Sequence, residues 1–373
     1  MSKKVIGLLN LYSSPNLGPL TENRTLGSTS FLGRFAVMDF ALSNFTNSGI
    51  DDFSILVKDH FRSVSKHVGS MKTWVNNTKI AKQYILFNEK GLLDKTYNTE
   101  LNNLRENEWL LFDTHPDYIV IQPAHIVSLI DFREVLNEHI AKKADITVVY
   151  TKIKNADDAF PYANVLELDK DNRVKNAKRN TGDAKSAIVS MESYVISKDV
   201  LKKLIHQNAK GREMSLKRTI VKLIRSKTTK VYGYEYVGFV RSIDSYRHFC
   251  EYSLDLLNYE NATELFDKGW TAYTVTHNSR PSMYGIKANV KNSYVANGSK
   301  IEGSVEGSII SRGVHIGLNA KVKNCIVLAD TIIEEGAIVE NAVVDKHAHI
   351  YKNAELVGHK NDLIYVEQGK KIK

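Results

Sequence analysis

At 373 residues the chain is too long for one small core and long enough for two, and six prolines beside 43% hydrophobic and 25% charged residues argue against long disordered linkers. Its net charge of +9 comes from basic residues interspersed with acidic ones. No basic stripe marks a nucleic-acid surface, and phosphorylated metabolites or an acidic partner subunit are the expected anions.

The chain opens on Met1-Ser2-Lys3-Lys4 and the apolar run 5–9, which stops at Asn10. That run is too short for a signal peptide core or a membrane span and reads as a buried first strand. Cys250 and Cys325 have no metal-ligand spacing, so the expectation is a reducing cytoplasm with no disulfide framework.

Strands are expected at 5–9, 53–57, 118–121 and 146–150, alternating with amphipathic stretches. Between the last two, Leu129, Ile130, Phe132, Val135, Leu136 and Ile140 recur at helical spacing, giving one βαβ unit. Asp169-Lys170-Asp171-Asn172 supplies turn chemistry for a hairpin across 163–179. Helices follow at 198–209, 216–225 and 245–258; Lys217 and Arg218 read as a solvated face, and Tyr232, Tyr234, Tyr236 and Phe239 as a half-buried strand.

From Tyr284 onward the period changes to six. Ile310, Ile316, Val322 and Leu328 are six apart, and after a four-residue slip Ile332, Ile338, Val344, Ile350 and Leu356 repeat the spacing. Such a period predicts a hexapeptide parallel β-helix, whose coils must stack to bury an apolar face. The expected organisation is an α/β domain over 1–258, a linker at 259–283 and the β-helix at 284–373. His315, His347, His349 and His359 are expected to face solvent on that β-helix.

The run Asp39-Phe40-Ala41-Leu42-Ser43-Asn44, followed by Asn47-Ser48-Gly49-Ile50, resembles the first helix and turn of bacterial glucose-1-phosphate adenylyltransferases. Further matches lie at Ser190-Met191, Ile243-Asp244-Ser245-Tyr246, Tyr273 to His277 and Ile309 to Val314, so the likeness spans nearly the whole chain. It implies a Rossmann-like (GT-A-like) nucleotidyltransferase domain, a left-handed parallel β-helix and a role in ADP-glucose supply for glycogen biosynthesis. The family's reaction is attack of the glucose 1-phosphate oxygen on the α-phosphorus of ATP with release of pyrophosphate. It needs backbone amides close to the triphosphate, cations, and carboxylates that hold magnesium.

Set against those needs, the resemblance implies a degenerate site. Leu11, Tyr12 and Ser14 stand where the family has phosphate-loop glycines, which alone let the backbone fold closely over phosphates. Pro15 removes an amide donor, Asn16 stands at the loop arginine, and Leu26 at a later lysine. The two metal-holding aspartates correspond to Ala124 and Phe239. No catalytic residue, metal ligand or cofactor is therefore assigned. The pattern resembles the non-catalytic regulatory subunit that accompanies an active subunit in some Gram-positive bacteria, which implies a cytoplasmic hetero-oligomer, expected as a heterotetramer, with no nucleic-acid or membrane partner. Arg24 and Arg34 match basic positions near the family's activator site, and Lys178 and Arg179 lie near its sugar-phosphate lysine; they are the candidate effector or phosphate contacts. Two other readings are a working nucleotidyltransferase with a rearranged metal site built on Asp113 or Asp117, and a hexapeptide acyltransferase using a β-helix histidine.

Overall fold

The first apolar run forms β1 (Val5–Asn10), buried from Ile6 onward because it lies at the centre of a nine-stranded sheet. The computed structural model describes residues 3–207, 215–266 and 269–373. In chain order the remaining elements around that sheet are α1 (Met38–Asn47), β2 (Phe53–Val57), β3 (Gln83–Phe87), α2 (Glu100–Glu106), β4 (Tyr118–Pro123), α3 (Phe132–Ala141) and β5 (Ile146–Ile153). They continue with β6 (Asn164–Leu168), β7 (Val174–Arg179), β8 (Ala187–Ser197), α4 (Lys198–Gln207), α5 (Leu216–Ser226) and β9 (Val231–Glu235).

The strand order is β7-β6-β8-β4-β1-β2-β3, with β5 paired to both β8 and β9. Strands β4, β1, β2 and β3 run parallel, whereas the long β8 is antiparallel to β4 and β5. Residues 163–179 do form the expected hairpin, as β6 and β7. The helical period of 127–143 holds only from Phe132, capped by Asp131, because Ile126–Ser128 is a short strand paired with Val240–Ser242. Helix α4 follows the expected start; residues 208 and 209 of its expected span lie outside the described residues. Among the described residues no helix is long and apolar enough to cross a membrane.

Beneath the sheet, His139 of α3 is only 1% exposed. Its Nδ1 lies 2.8 Å from the Thr147 hydroxyl of β5, and the ring packs edge-on against Tyr118. Burial lowers its pKa from 6.5 to about 4, against the opposing charge of Asp145. The folded chain holds this imidazole neutral while the unfolded chain protonates it. Its stabilising contribution is therefore full above 6.5 and falls as the pH drops towards 4. Urea unfolding of wild type and His139→Gln at stepped pH should show that part of the acid slope, up to about 1.4 kcal/mol per pH unit, vanish in the variant.

The chain divides into two compact units, the first comprising 1–14, 40–242 and 271–273, and the second 15–39, 243–270 and 274–373. The second therefore contains more than the repeats: it includes α6 (Tyr246–Asp255), capped by Ser245, and α7 (Tyr259–Phe266), which falls in the stretch expected as linker. Its repeats form three all-parallel sheets of six, five and five strands, the flat sides of a β-helix. A full coil is 17 residues: Ile316 pairs with Ile333 and Ile333 with Ile350, and Val322 pairs with Val339 and Val339 with Leu356.

That register corrects the expected phase at Ile332 and Ile338, whereas Ile310, Ile316, Val322, Leu328, Val344 and Ile350 are buried as expected. Inward positions step six, six, then five, so Ile333 and Val339 are fully buried while Ile332, expected inside, is 39% exposed and Ile338 half-buried. His315 and His349 are half-buried and pair with Glu302 and Glu334, and His347 and His359 are exposed.

Candidate functional site

Open α/β sheets bind ligands outside the carboxyl ends of their parallel strands. In the first unit that edge is where β1 ends at Asn10 beside Pro123 of β4 and Leu56 of β2. Asn10 turns the chain, its Oδ1 accepting the Tyr12 N–H at 2.9 Å. Leu11 is buried, and its N–H donates to the Leu56 carbonyl. Tyr12 then lays its ring against the core. Its hydroxyl donates to Asn98 Oδ1 at 2.8 Å and accepts from Asn103 Nδ2 at 3.1 Å. Burial first, with the nearby Glu100 charge adding to it against the Asn103 bond, raises the phenol well above its ordinary pKa. The Ser14 hydroxyl is buried with no hydrogen-bond partner among the described residues.

A phosphate cradle needs bare backbone at this place. Here the loop carries the Tyr12 phenol instead, packed on the core and held at both ends of its hydrogen-bonding capacity. Tyr12→Phe takes one hydrogen-bond partner from the half-buried Asn98 and one from the buried Asn103, and should cost about 1–2 kcal/mol in thermal or urea unfolding. An unchanged stability would show the hydroxyl to be idle.

Further along the same edge, β8 bulges between Ser190 and Ser193. Glu192 sits in the bulge at φ 52°, a conformation disfavoured for residues with a Cβ. It is 8% exposed and ion-paired with Lys217, whose Nζ also donates to the Tyr162 carbonyl at 2.7 Å. Next to it, Glu100 accepts the Leu216 N–H at 2.8 Å and the Ser215 hydroxyl at 3.4 Å. This carboxylate occupies the amino end of α5, the place where a helix dipole would receive a ligand anion. Burial pushes its pKa up, with the Glu192 charge acting in the same direction against these hydrogen bonds.

Ala124 and Phe239, the positions that the resemblance marks for metal ligands, are 0% and 2% exposed and carry no oxygen donors. The Tyr236 hydroxyl donates to the Phe239 carbonyl, and the Arg241 guanidinium lies 4.8 Å from the Phe239 ring centre. Among the described residues no group of three or more His, Cys, Asp or Glu is arranged to hold a metal ion. The donor set does not fit a magnesium site. Asp113 and Asp117, the substitute ligands considered above, do not repair it. Asp117 precedes β4 and accepts the Lys4 N–H, and Asp113 pairs with Lys82, which precedes β3. Both lie at the amino edge of the sheet, opposite the crevice.

A nucleotidyl transferase family model matches residues 14–242. The chain belongs to that family. A GlmU-like C-terminal hexapeptide model matches residues 279–363. Similar proteins include the glucose-1-phosphate adenylyltransferase of Fervidobacterium nodosum, 28% identical over 370 residues, 96% of this chain and 86% of that protein. The glucose-1-phosphate adenylyltransferase of Fusobacterium nucleatum is 27% identical over 314 residues, 82% and 80% of the two chains. That of Geobacillus stearothermophilus is 27% identical over 330 residues, 87% and 84%.

Of the remaining candidate residues, two lie in the first unit. Lys178 and Arg179 are successive residues of β7 and so point to opposite faces. Lys178 pairs with Glu167, and the Arg179 guanidinium stacks 4.3 Å from the Tyr162 ring centre. In the second unit Asn16 is exposed, its Oδ1 accepting the Gly18 N–H, and Leu26 is buried in the turn Leu26–Ser28. Arg24 is 6% exposed and bound at both guanidinium nitrogens by Asp345, so its charge is already taken inside the protein.

Arg34 differs: it is exposed and stacked on Phe35. Its charge helps lower the pKa of Arg312, second to burial and against Asp39. Arg312 donates to the Val275 carbonyl, and its buried Nε has no partner among the described residues. Arg34 and Arg312 are thus two cations close enough to feel one another, with the Asp39 carboxylate acting on Arg312 in the opposite sense. Arg312 was legible only as part of the Ile309 to Val314 likeness. Asn98, Glu100, Asn103 and Glu192 carried no local signal, and Lys217, expected on a solvated face, is instead half-buried in an ion pair.

Proposed function

We propose that this chain is a catalytically impaired, regulatory subunit of glucose-1-phosphate adenylyltransferase. It would assemble in the cytoplasm with a catalytic subunit, as a heterotetramer, and modulate ADP-glucose formation for glycogen biosynthesis. One observation carries the reading: Tyr12 fills the carboxyl edge of the sheet, docked on the core and bonded to Asn98 and Asn103, where the reaction needs open glycine backbone. The Glu192–Lys217 pair and the donor-free Ala124 and Phe239 support it at the other parts of the same edge.

A subunit that does no chemistry acts by binding the catalytic subunit's conformations with different affinity, and an effector on it acts the same way. The Arg34 and Arg312 guanidiniums are the proposed contact for a phosphorylated metabolite. Titrating the purified chain into the catalytic subunit should change turnover or activator dependence. Arg34→Ala together with Arg312→Ala should preserve assembly yet flatten the activator response by roughly fivefold or more, the scale of one allosteric coupling. Kinetics of the mixture identical to those of the catalytic subunit alone would reject the regulatory role.

A further inference from the structure

In the second unit the residues after Lys291, Glu306, Lys323, Glu340 and Val357 stack at one corner of the β-helix, because those five are register partners. They are Asn292, Gly307, Asn324, Asn341 and Gly358. The left-handed turn at this corner explains the choice of residue, with φ values of 42°, 56°, 51° and 50° at the first four. The amides form a ladder: Asn324 Nδ2 donates to Asn341 Oδ1 at 3.3 Å, and Asn341 Nδ2 to the Gly358 carbonyl at 2.9 Å.

At Gly307 the ladder lacks a rung. A Cβ there would lie 2.9 Å from Asn324 Oδ1, closer than real contacts allow, so this acceptor is packed against the bare Gly307 backbone. Gly307 and Asn324 line a cavity of about 560 Å³. Leu254, Leu257 and Leu363 give it apolar wall, and the amides of Asn292 and Asn324 give it donors and acceptors. Tyr259 stands at its rim, 79% exposed, although tyrosine rings are usually held partly buried. One ammonium, Lys360, and one carboxylate, Asp255, also line it, so it carries no net charge.

We infer that this cavity binds an uncharged, hydroxyl-rich ligand of the oligosaccharide class. An apolar wall and an aromatic face suit the C–H faces of pyranose rings, side-chain amides suit hydroxyls, and balanced charge disfavours an anion. The missing rung at Gly307 is the recognition feature, since it leaves Asn324 Oδ1 without a side-chain neighbour from its own ladder.

The test is a calorimetric titration of the full chain with maltotriose. The wild type should bind it saturably in the millimolar range. Tyr259→Ala, at a site with little burial, should weaken binding by about tenfold. Gly307→Asn, a residue that tolerates this φ but whose Cβ would displace the Asn324 Oδ1 acceptor, should weaken it at least as much. Circular dichroism identical to wild type establishes that each variant is folded. No saturable binding, or binding that both variants leave unchanged, overturns the inference. So does a site that prefers inorganic phosphate and loses it in Lys360→Ala.

Discussion

Replacing Arg24 by alanine is expected to destabilise the repeat-bearing unit by about 3–5 kcal/mol, read as a lower urea midpoint for the transition that reports on it. Arg24 and Asp345 are 6% and 0% exposed. Two parallel N–H···O bonds of 2.9 and 2.8 Å join them, the geometry that makes an arginine–carboxylate pair strong. The Tyr365 hydroxyl adds a 2.5 Å bond to the same carboxylate, and Gln368 Oε1 accepts from the guanidinium at 3.0 Å. Alanine would leave Asp345 charged, dry and without its cation, and that uncompensated charge sets the size of the effect. Arg24→Met with Asp345→Leu removes both charges and should recover most of the loss, because a buried pair gains little over an apolar pair of similar volume. A double variant no better than Arg24→Ala would show that the pair itself, and not the orphaned charge, carries the stability.

The second large effect is an activity that stays absent. Asn16→Arg alone should give no ADP-glucose above background, nor should Ala124→Asp alone. Removing a single preorganised donor already costs a nucleophilic enzyme roughly a hundredfold or more. Here the arginine, the loop glycines and both metal-holding acids are missing in the resemblance, and Tyr12 stands in the loop itself, docked on the core. Restoring one group leaves the others absent and the phenol in place. Detectable synthesis by either single variant, measured as labelled ADP-glucose, would mean that the crevice is less degraded than its geometry indicates.

Much of this molecule is legible in its sequence, for local reasons. β1 follows from one apolar run, the β6–β7 hairpin from turn residues between short strands, and the coil from a period that few other folds share. The phase of the coil is not legible, because Ile332 and Ile338 are β-branched apolar residues on or near the outer face, with Ile333 and Val339 beside them inside. A five-residue step and a six-residue step then look alike. The site shows a sharper division. What is lost from the phosphate loop can be read by position, since glycine has no substitute there. What fills the space cannot, because Tyr12 meets Asn98 and Asn103, and Glu192 meets Lys217, only after the sheet has brought distant segments together. Arg24 illustrates the same limit: its type suggests an effector contact, and only the fold reveals Asp345 beneath it.

The central claim, a crevice closed to chemistry by the chain's own side chains, is tested most directly by pyrophosphate release. The purified chain alone, given ATP, glucose 1-phosphate and magnesium, should release none above the uncatalysed background. Release at an ordinary enzymatic pace, about 1 s⁻¹ or faster, would contradict it.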